Sequence, residues 1–154
     1  MFRKALLLVG LLSLPIAAFA QTTYSGNWSA NSANSATLLR GTWTAVPDTN
    51  GTVVRGTWTL LNAQGGKLAE GGWSAAKAAT GWNGAWRAKV AVTNTEYTGT
   101  WTSTAELADQ RFSTLFEKAI TATVSGTWRY QEKSGAWSIR AAPKTTPPAS
   151  PPVD

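Results

Sequence analysis

The 154-residue chain contains no histidine and no cysteine, and only 14% of it is charged. Without imidazole or thiol there is no histidine base, no thiolate nucleophile, no His/Cys zinc site and no disulfide framework. Carboxylates are sparse after the leader: Asp48, Glu70, Glu96, Glu106, Asp109, Glu117, Glu132 and Asp154. On the assignment developed below, Asp48 and Glu132 fall in turns, and Glu106, Asp109 and Glu117 lie on the wet side of a helix. Asp154 falls in the tail, and Glu70 and Glu96 point outward. No pair converges, so acid-base hydrolysis and carboxylate metal binding lack their residues. The expectation is a non-enzymatic protein with no metal and no cofactor.

Also missing is any run of lysine or arginine in the body of the chain, although the formal charge is +6. A basic stripe is what nucleic acid would require, so none is expected as a partner. The apolar run from Ala5 to Leu14 is shorter than the roughly 20 residues that span a bilayer, and Pro15 ends it. It follows Arg3 and Lys4 and precedes Ala18-Phe19-Ala20, the layout of a signal peptide. Residues 1–20 are therefore predicted to be removed, leaving a mature chain from Gln21 that is exported, periplasmic or secreted, with no membrane span. Losing Arg3 and Lys4 reduces the charge to +4. At the other end, Pro143, Pro147, Pro148, Pro151 and Pro152 sit among Ala, Thr and Ser. That composition builds no core, so residues 142–154 are expected to form a disordered tail, with an envelope protein as its possible partner.

What the chain has in excess is tryptophan and glycine, nine and fourteen residues. Eight of the tryptophans occur as Gly-x-Trp: Trp28, Trp43, Trp58, Trp73, Trp86, Trp101, Trp128 and Trp137. The first four are 15 residues apart, and the later gaps are 13, 15, 27 and 9. Around each motif the residues alternate, as in Leu39, Gly41, Trp43, Ala45 against Leu38, Arg40, Thr42, Thr44. Period-two alternation rich in Thr and Val means strands, and Pro47 to Gly51 and Asn62 to Gly66 carry turn residues. A stack of parallel coils is excluded by the gap of 9, because parallel neighbours need a crossover of a dozen or more residues. The 27-residue gap holds an inserted helix. Ser103-Thr104-Ala105-Glu106 reads as a capping box, and Leu107, Ala108, Phe112, Leu115, Phe116, Ala119 and Ile120 share one face, predicting a helix over Thr104 to Ala119.

The expected fold is therefore all-β, an eight-stranded antiparallel up-and-down β-barrel over residues 21–141 with one amphipathic helix between strands 6 and 7. Closure buries the apolar face and removes the edges, and the Thr, Ser and Arg parity faces water rather than lipid. Placing each Trp opposite the Gly of the next strand, so that Trp43 faces Gly56 and Gly41 faces Trp58, predicts two interior layers. One contains Gly26, Trp43, Gly56, Trp73, Gly84, Trp101, Gly126 and Trp137, the other Trp28, Gly41, Trp58, Gly71, Trp86, Gly99, Trp128 and Gly135, with a glycine on either side of every indole. Predicted turns include 48–51, 63–66 and the two-residue Gln131-Glu132.

The same topology puts the helix beside Tyr24, Val54, Trp82, Val124 and Ile139 at one end, which it plugs. The other mouth is ringed by Ala30, Leu39, Leu60, Ala69, Ala88, Tyr97, Tyr130 and Lys133. An eight-stranded barrel is just wide enough to be filled by side chains or to hold one small ligand. Small residues at the mouth favour a small hydrophobic or aromatic ligand, with Trp28, Trp58, Trp86 and Trp128 as its platform and Tyr97 and Tyr130 as walls. The alternative is a structural or interaction module of the envelope with a solid core.

The segments Gly81-Trp82-Asn83-Gly84-Ala85-Trp86-Arg87 and Tyr97-Thr98-Gly99-Thr100-Trp101 resemble the middle strands of streptavidin- and avidin-like barrels, within the calycin type. The resemblance spans residues 24–102 and implies that Trp86 sits where the family packs a ring on biotin. The polar anchors are absent: Ala30, Trp43 and Ala45 stand where the family has Asn, Tyr and Ser, and the late Asp and loop Trp have no counterpart. The implied inheritance is architecture, without biotin binding.

Overall fold

The computed structural model describes residues 22–79, 81–103 and 111–143. The predicted leader and nearly all of the predicted tail lie outside them. Eight strands follow in order: β1 Tyr24–Asn31, β2 Leu38–Pro47, β3 Val53–Leu61, β4 Lys67–Ala78, β5 Gly81–Val90, β6 Glu96–Ser103, β7 Val124–Tyr130 and β8 Lys133–Ala141. Each pairs antiparallel with the next, and β8 pairs with β1 to close the barrel. A single helix, α1 Phe112–Thr121, interrupts the meander between β6 and β7.

Turn chemistry fixes the hairpins. The Asp48 carboxylate accepts from the amides of Thr52 and Val53 at 2.9 and 3.0 Å, while Gly51 adopts φ +69°. The Asn62 side chain accepts from the amides of Gln64 and Gly66 at 3.0 and 2.7 Å, an Asx turn. Gln131-Glu132 joins β7 to β8 in two residues, with Gln131 at φ 51°.

The register is where the expected geometry needs correction. Within the pairs β1–β2, β3–β4, β5–β6 and β7–β8, Trp stands opposite Gly as expected, as in Trp28 with Gly41 and Gly56 with Trp73. Between those pairs it does not. Trp43 faces Trp58 and Gly41 faces Leu60; Trp73 faces Trp86; Trp101 faces Trp128. Each of these junctions is displaced by two residues, and the β8–β1 closure, where Gly26 faces Ala141, by four. All the displacements run in one direction, so the sheet accumulates a stagger of ten residues per circuit. Flat layers would require untwisted, untilted strands. Twisted strands close only when tilted by roughly 35 to 45° with a staggered register, which draws the two layers into a spiral.

The described helix begins at Phe112, so the predicted helix is broken at Arg111. Arg111 is its N-cap, in extended conformation and with no side-chain capping bond. Ser103 still belongs to β6, opposite Gly126, and its hydroxyl accepts from the Trp82 amide at 3.2 Å. Ser103 thus serves the sheet, and the rest of the predicted capping box, with residues 104–110, lies outside the described residues. The Phe112 amide donates to the Gly51 carbonyl at 3.1 Å, tying the helix start to the β2–β3 turn.

From there the helix lies across one end of the barrel. Phe112, Leu115, Phe116 and Ala119 are buried against Tyr24, Val54, Trp82 and Val124, with Ile139 packed on the cluster. Trp82, the tryptophan outside the repeat, is fully buried, its ring centroid 3.9 Å from that of Phe112. Phe116 reaches Tyr24 and Trp43 at 5.0 and 5.2 Å. Burying such aromatic side chains contributes about 2 to 3 kcal/mol each relative to exposure, so this end is held shut by packing.

Candidate functional site

The repeat places chemistry on both faces of the wall. Inside, an indole crosses the glycine of the neighbouring strand and donates its N–H to a carbonyl on the strand beyond. Trp28 crosses Gly41 to Thr59 O at 2.9 Å, Trp73 crosses Gly56 to Thr44 O at 2.9 Å, and Trp137 crosses Gly126 to Thr102 O at 3.1 Å. Trp128 crosses Gly135 to Asn31 O at 2.9 Å, and Trp43 reaches Asn27 O and Arg140 O at 3.1 and 3.3 Å. Trp86 bonds Thr100 O at 3.2 Å. A methyl group at Gly41 would overlap the Thr59 carbonyl and stand 2.6 Å from the Trp28 nitrogen, so only glycine serves there.

Outside, at the staggered β2–β3 junction, hydroxyls complete the pairing. Thr42 and Thr59 share a bond of 2.6 Å and Thr44 and Thr57 one of 2.7 Å, while the Thr57 amide donates to Thr44 Oγ1 at 3.1 Å. Thr102 and Thr127 repeat this across β6–β7 at 2.8 Å, and Ser29 and Ser138 across β1–β8 at 2.8 Å. In Gly-Thr-Trp, therefore, the glycine admits the ring, the indole satisfies an inward carbonyl, and the threonine serves the outer surface. The motif Gly71-Gly72-Trp73 lacks the hydroxyl, and a cleft of about 540 Å³ lies over that part of β3, β4 and β5. Trp58, one strand away, differs inside: its Nε1 is buried and has no partner among the described residues.

Because the indoles are drawn along the wall, the barrel axis stays open. A cavity of about 450 Å³ runs from the mouth to the helix. Trp28, Trp58, Trp86 and Trp128 line it, and so do Tyr97 and Tyr130. The four indoles form wall rather than floor: the cavity continues past them to Trp73, Trp101 and Trp137 and ends on Phe112, Leu115 and Phe116. Its rim carries Ala30, Leu39, Leu60, Ala69, Ala88 and Val90. The rings pack edge to face, Trp28 on Trp58 at 5.7 Å and Trp58 on Trp86 at 6.4 Å, the arrangement their quadrupoles favour. Tyr130 lies 6.1 Å from Trp86 and 5.6 Å from Tyr97, so the predicted residues on β3, β5, β6 and β7 form one aromatic wall.

Sequence reasoning overlooked the lower indoles and the helix face as cavity lining, because flat layers would have closed the interior between them. Among the described residues no group of acidic side chains could hold a metal. The Asp48 carboxyl is held below its ordinary value by backbone N–H donors, Val53 foremost, and that of Glu70 by the bonded Lys67 ammonium at 2.7 Å. Neither lines the cavity. The fold is a closed, eight-stranded, helix-plugged barrel compatible with the calycin and avidin-like architecture. No protein-family model matches the chain, and no curated protein matches its sequence.

Proposed function

We propose that this barrel binds a small hydrophobic or aromatic molecule in its open end, without chemical turnover. The observation that carries the proposal is the cavity of about 450 Å³ walled by aromatic rings and closed by the helix on one side only. Pockets of this size with apolar walls and a few polar groups suit small ligands. The packed indoles need no reorganisation to receive a planar or aliphatic body, which keeps the ordering cost of binding low. The likeness to avidin-like barrels extends to architecture and to the position of Trp86, and the missing polar anchors argue for a ligand other than biotin. Export on the predicted leader places this binding in the periplasm or outside the cell.

The test is titration of the protein with the neutral fluorophore N-phenyl-1-naphthylamine. One site per chain with quenching of tryptophan emission is expected, and Ala88→Trp, which fills the mouth from a buried inward position, should abolish it. A folded wild-type protein that leaves the probe and several apolar analogues unbound contradicts the proposal. That outcome favours a structural module presenting its Thr-rich exterior to an envelope partner.

A further inference from the structure

We infer that the ligand of this cavity is an amphipathic anion, an apolar body carrying one carboxylate-like head, bound with its head at the β6–β7–β8 side of the mouth. The inference rests on the cavity-binding reading above. Most polar groups inside are already committed: six of the eight motif indoles donate to strand carbonyls, all but Trp58 and Trp101. Trp58 Nε1, though without a partner, is sealed from solvent and offers the lumen nothing. The deep cavity therefore accepts hydrocarbon or ring and penalises a polar atom, because a desolvated polar group without a partner costs about 1 to 3 kcal/mol.

The rim differs from one side to the other. Around β2 to β5 it is aliphatic, with Leu39, Leu60 and Val90 on the cavity side and Leu38 and Leu68 exposed beside them. Across the mouth stand Tyr97 on β6, Tyr130 on β7 and Lys133 on β8. Lys133 is the one charged residue lining the cavity, and it is paired opposite Tyr130 across the hairpin. Among the described residues the only ion pair joins Lys67 to Glu70, so the Lys133 ammonium is uncommitted. The two tyrosine hydroxyls likewise carry no hydrogen bond to any described residue. Three donors with no bond to any described residue thus stand on one side of the rim of an apolar hole, the two tyrosine rings 5.6 Å apart and Lys133 paired with Tyr130. A carboxylate accepts from all three while its chain or ring descends between the indoles, and charge-assisted bonds are about twice as strong as neutral ones.

The experiment displaces bound N-phenyl-1-naphthylamine with decanoate and with decanol at low ionic strength, in the wild type, Lys133→Met and Lys133→Glu. Both substitutions fall at the exposed first residue of β8, and circular dichroism verifies the fold. Decanoate is expected to bind about tenfold more tightly than decanol. Lys133→Met should erase that preference, Lys133→Glu should reverse it, and both should change decanol binding far less than decanoate binding. Equal binding of acid and alcohol by the wild type, or a preference that survives both variants, overturns the inference while leaving cavity binding intact. Failure of the probe to bind at all removes both.

Discussion

At the scale of single residues, the indole N–H is the working part of the repeat. A tryptophan that reaches a strand carbonyl stabilises twice, by burying its ring and by satisfying a backbone acceptor turned to the interior. Trp28 and Trp58 are neighbours 5.7 Å apart that differ in the second respect, since one donates to Thr59 and the other to nothing among the described residues. Substitution by phenylalanine separates the two contributions. Trp28→Phe is expected to cost about 1 to 2 kcal/mol more than Trp58→Phe in chemical denaturation, because it also strands the Thr59 carbonyl. Equal losses would mean that the Trp28 bond contributes nothing net. The pairing of glycine with tryptophan was legible in the sequence, and so was its steric reason. The carbonyl acceptors were not, because most of them lie on the strand beyond the glycine and their positions depend on the stagger.

At the scale of elements, strands, turns and helix were readable to differing degrees. Alternation in Leu38 to Pro47 and Val53 to Leu61 placed β2 and β3 well, since each strand has one wet and one dry face. The predicted helix does not run unbroken to Ala119, because Arg111 is extended and α1 starts at Phe112, while the capping residues Thr104 to Glu106 lie outside the described residues. The β2–β3 turn offers a pH test. Its Asp48 has a folded-state pKa lowered by backbone donors, so the charged form is favoured on folding. The resulting stability is fully present above the unfolded carboxylate pKa and is lost as pH falls through the folded one. The stability difference between wild type and Asp48→Asn should hold constant near neutrality and shrink below about pH 4. A difference that grows on acidification contradicts the assignment.

At the scale of the whole molecule, strand number and up-and-down order followed from counting repeats, whereas the ten-residue stagger did not. No single hairpin encodes it: the offsets occur at β2–β3, β4–β5, β6–β7 and the β8–β1 closure, and only closing a twisted sheet adds them together. That same stagger turns two would-be tryptophan layers into a spiral along the wall and leaves the lumen open. The candidate ligand residues were legible as inward aromatics near the mouth. The depth of the cavity, which ends on Phe112, Leu115 and Phe116, depended on global geometry.

The central claim is that the repeat indoles point inward and that six of the eight are bonded to the barrel's own backbone. Hydrogen exchange of the indole N–H groups, followed by nitrogen-15 NMR in folded protein, tests it most directly. Trp28, Trp43, Trp73, Trp128 and Trp137 are expected to exchange far more slowly than a free indole, since each is hydrogen-bonded to a strand carbonyl. Indole signals that all exchange at the free rate in a protein whose strand amides stay protected would place the rings in water and contradict the account.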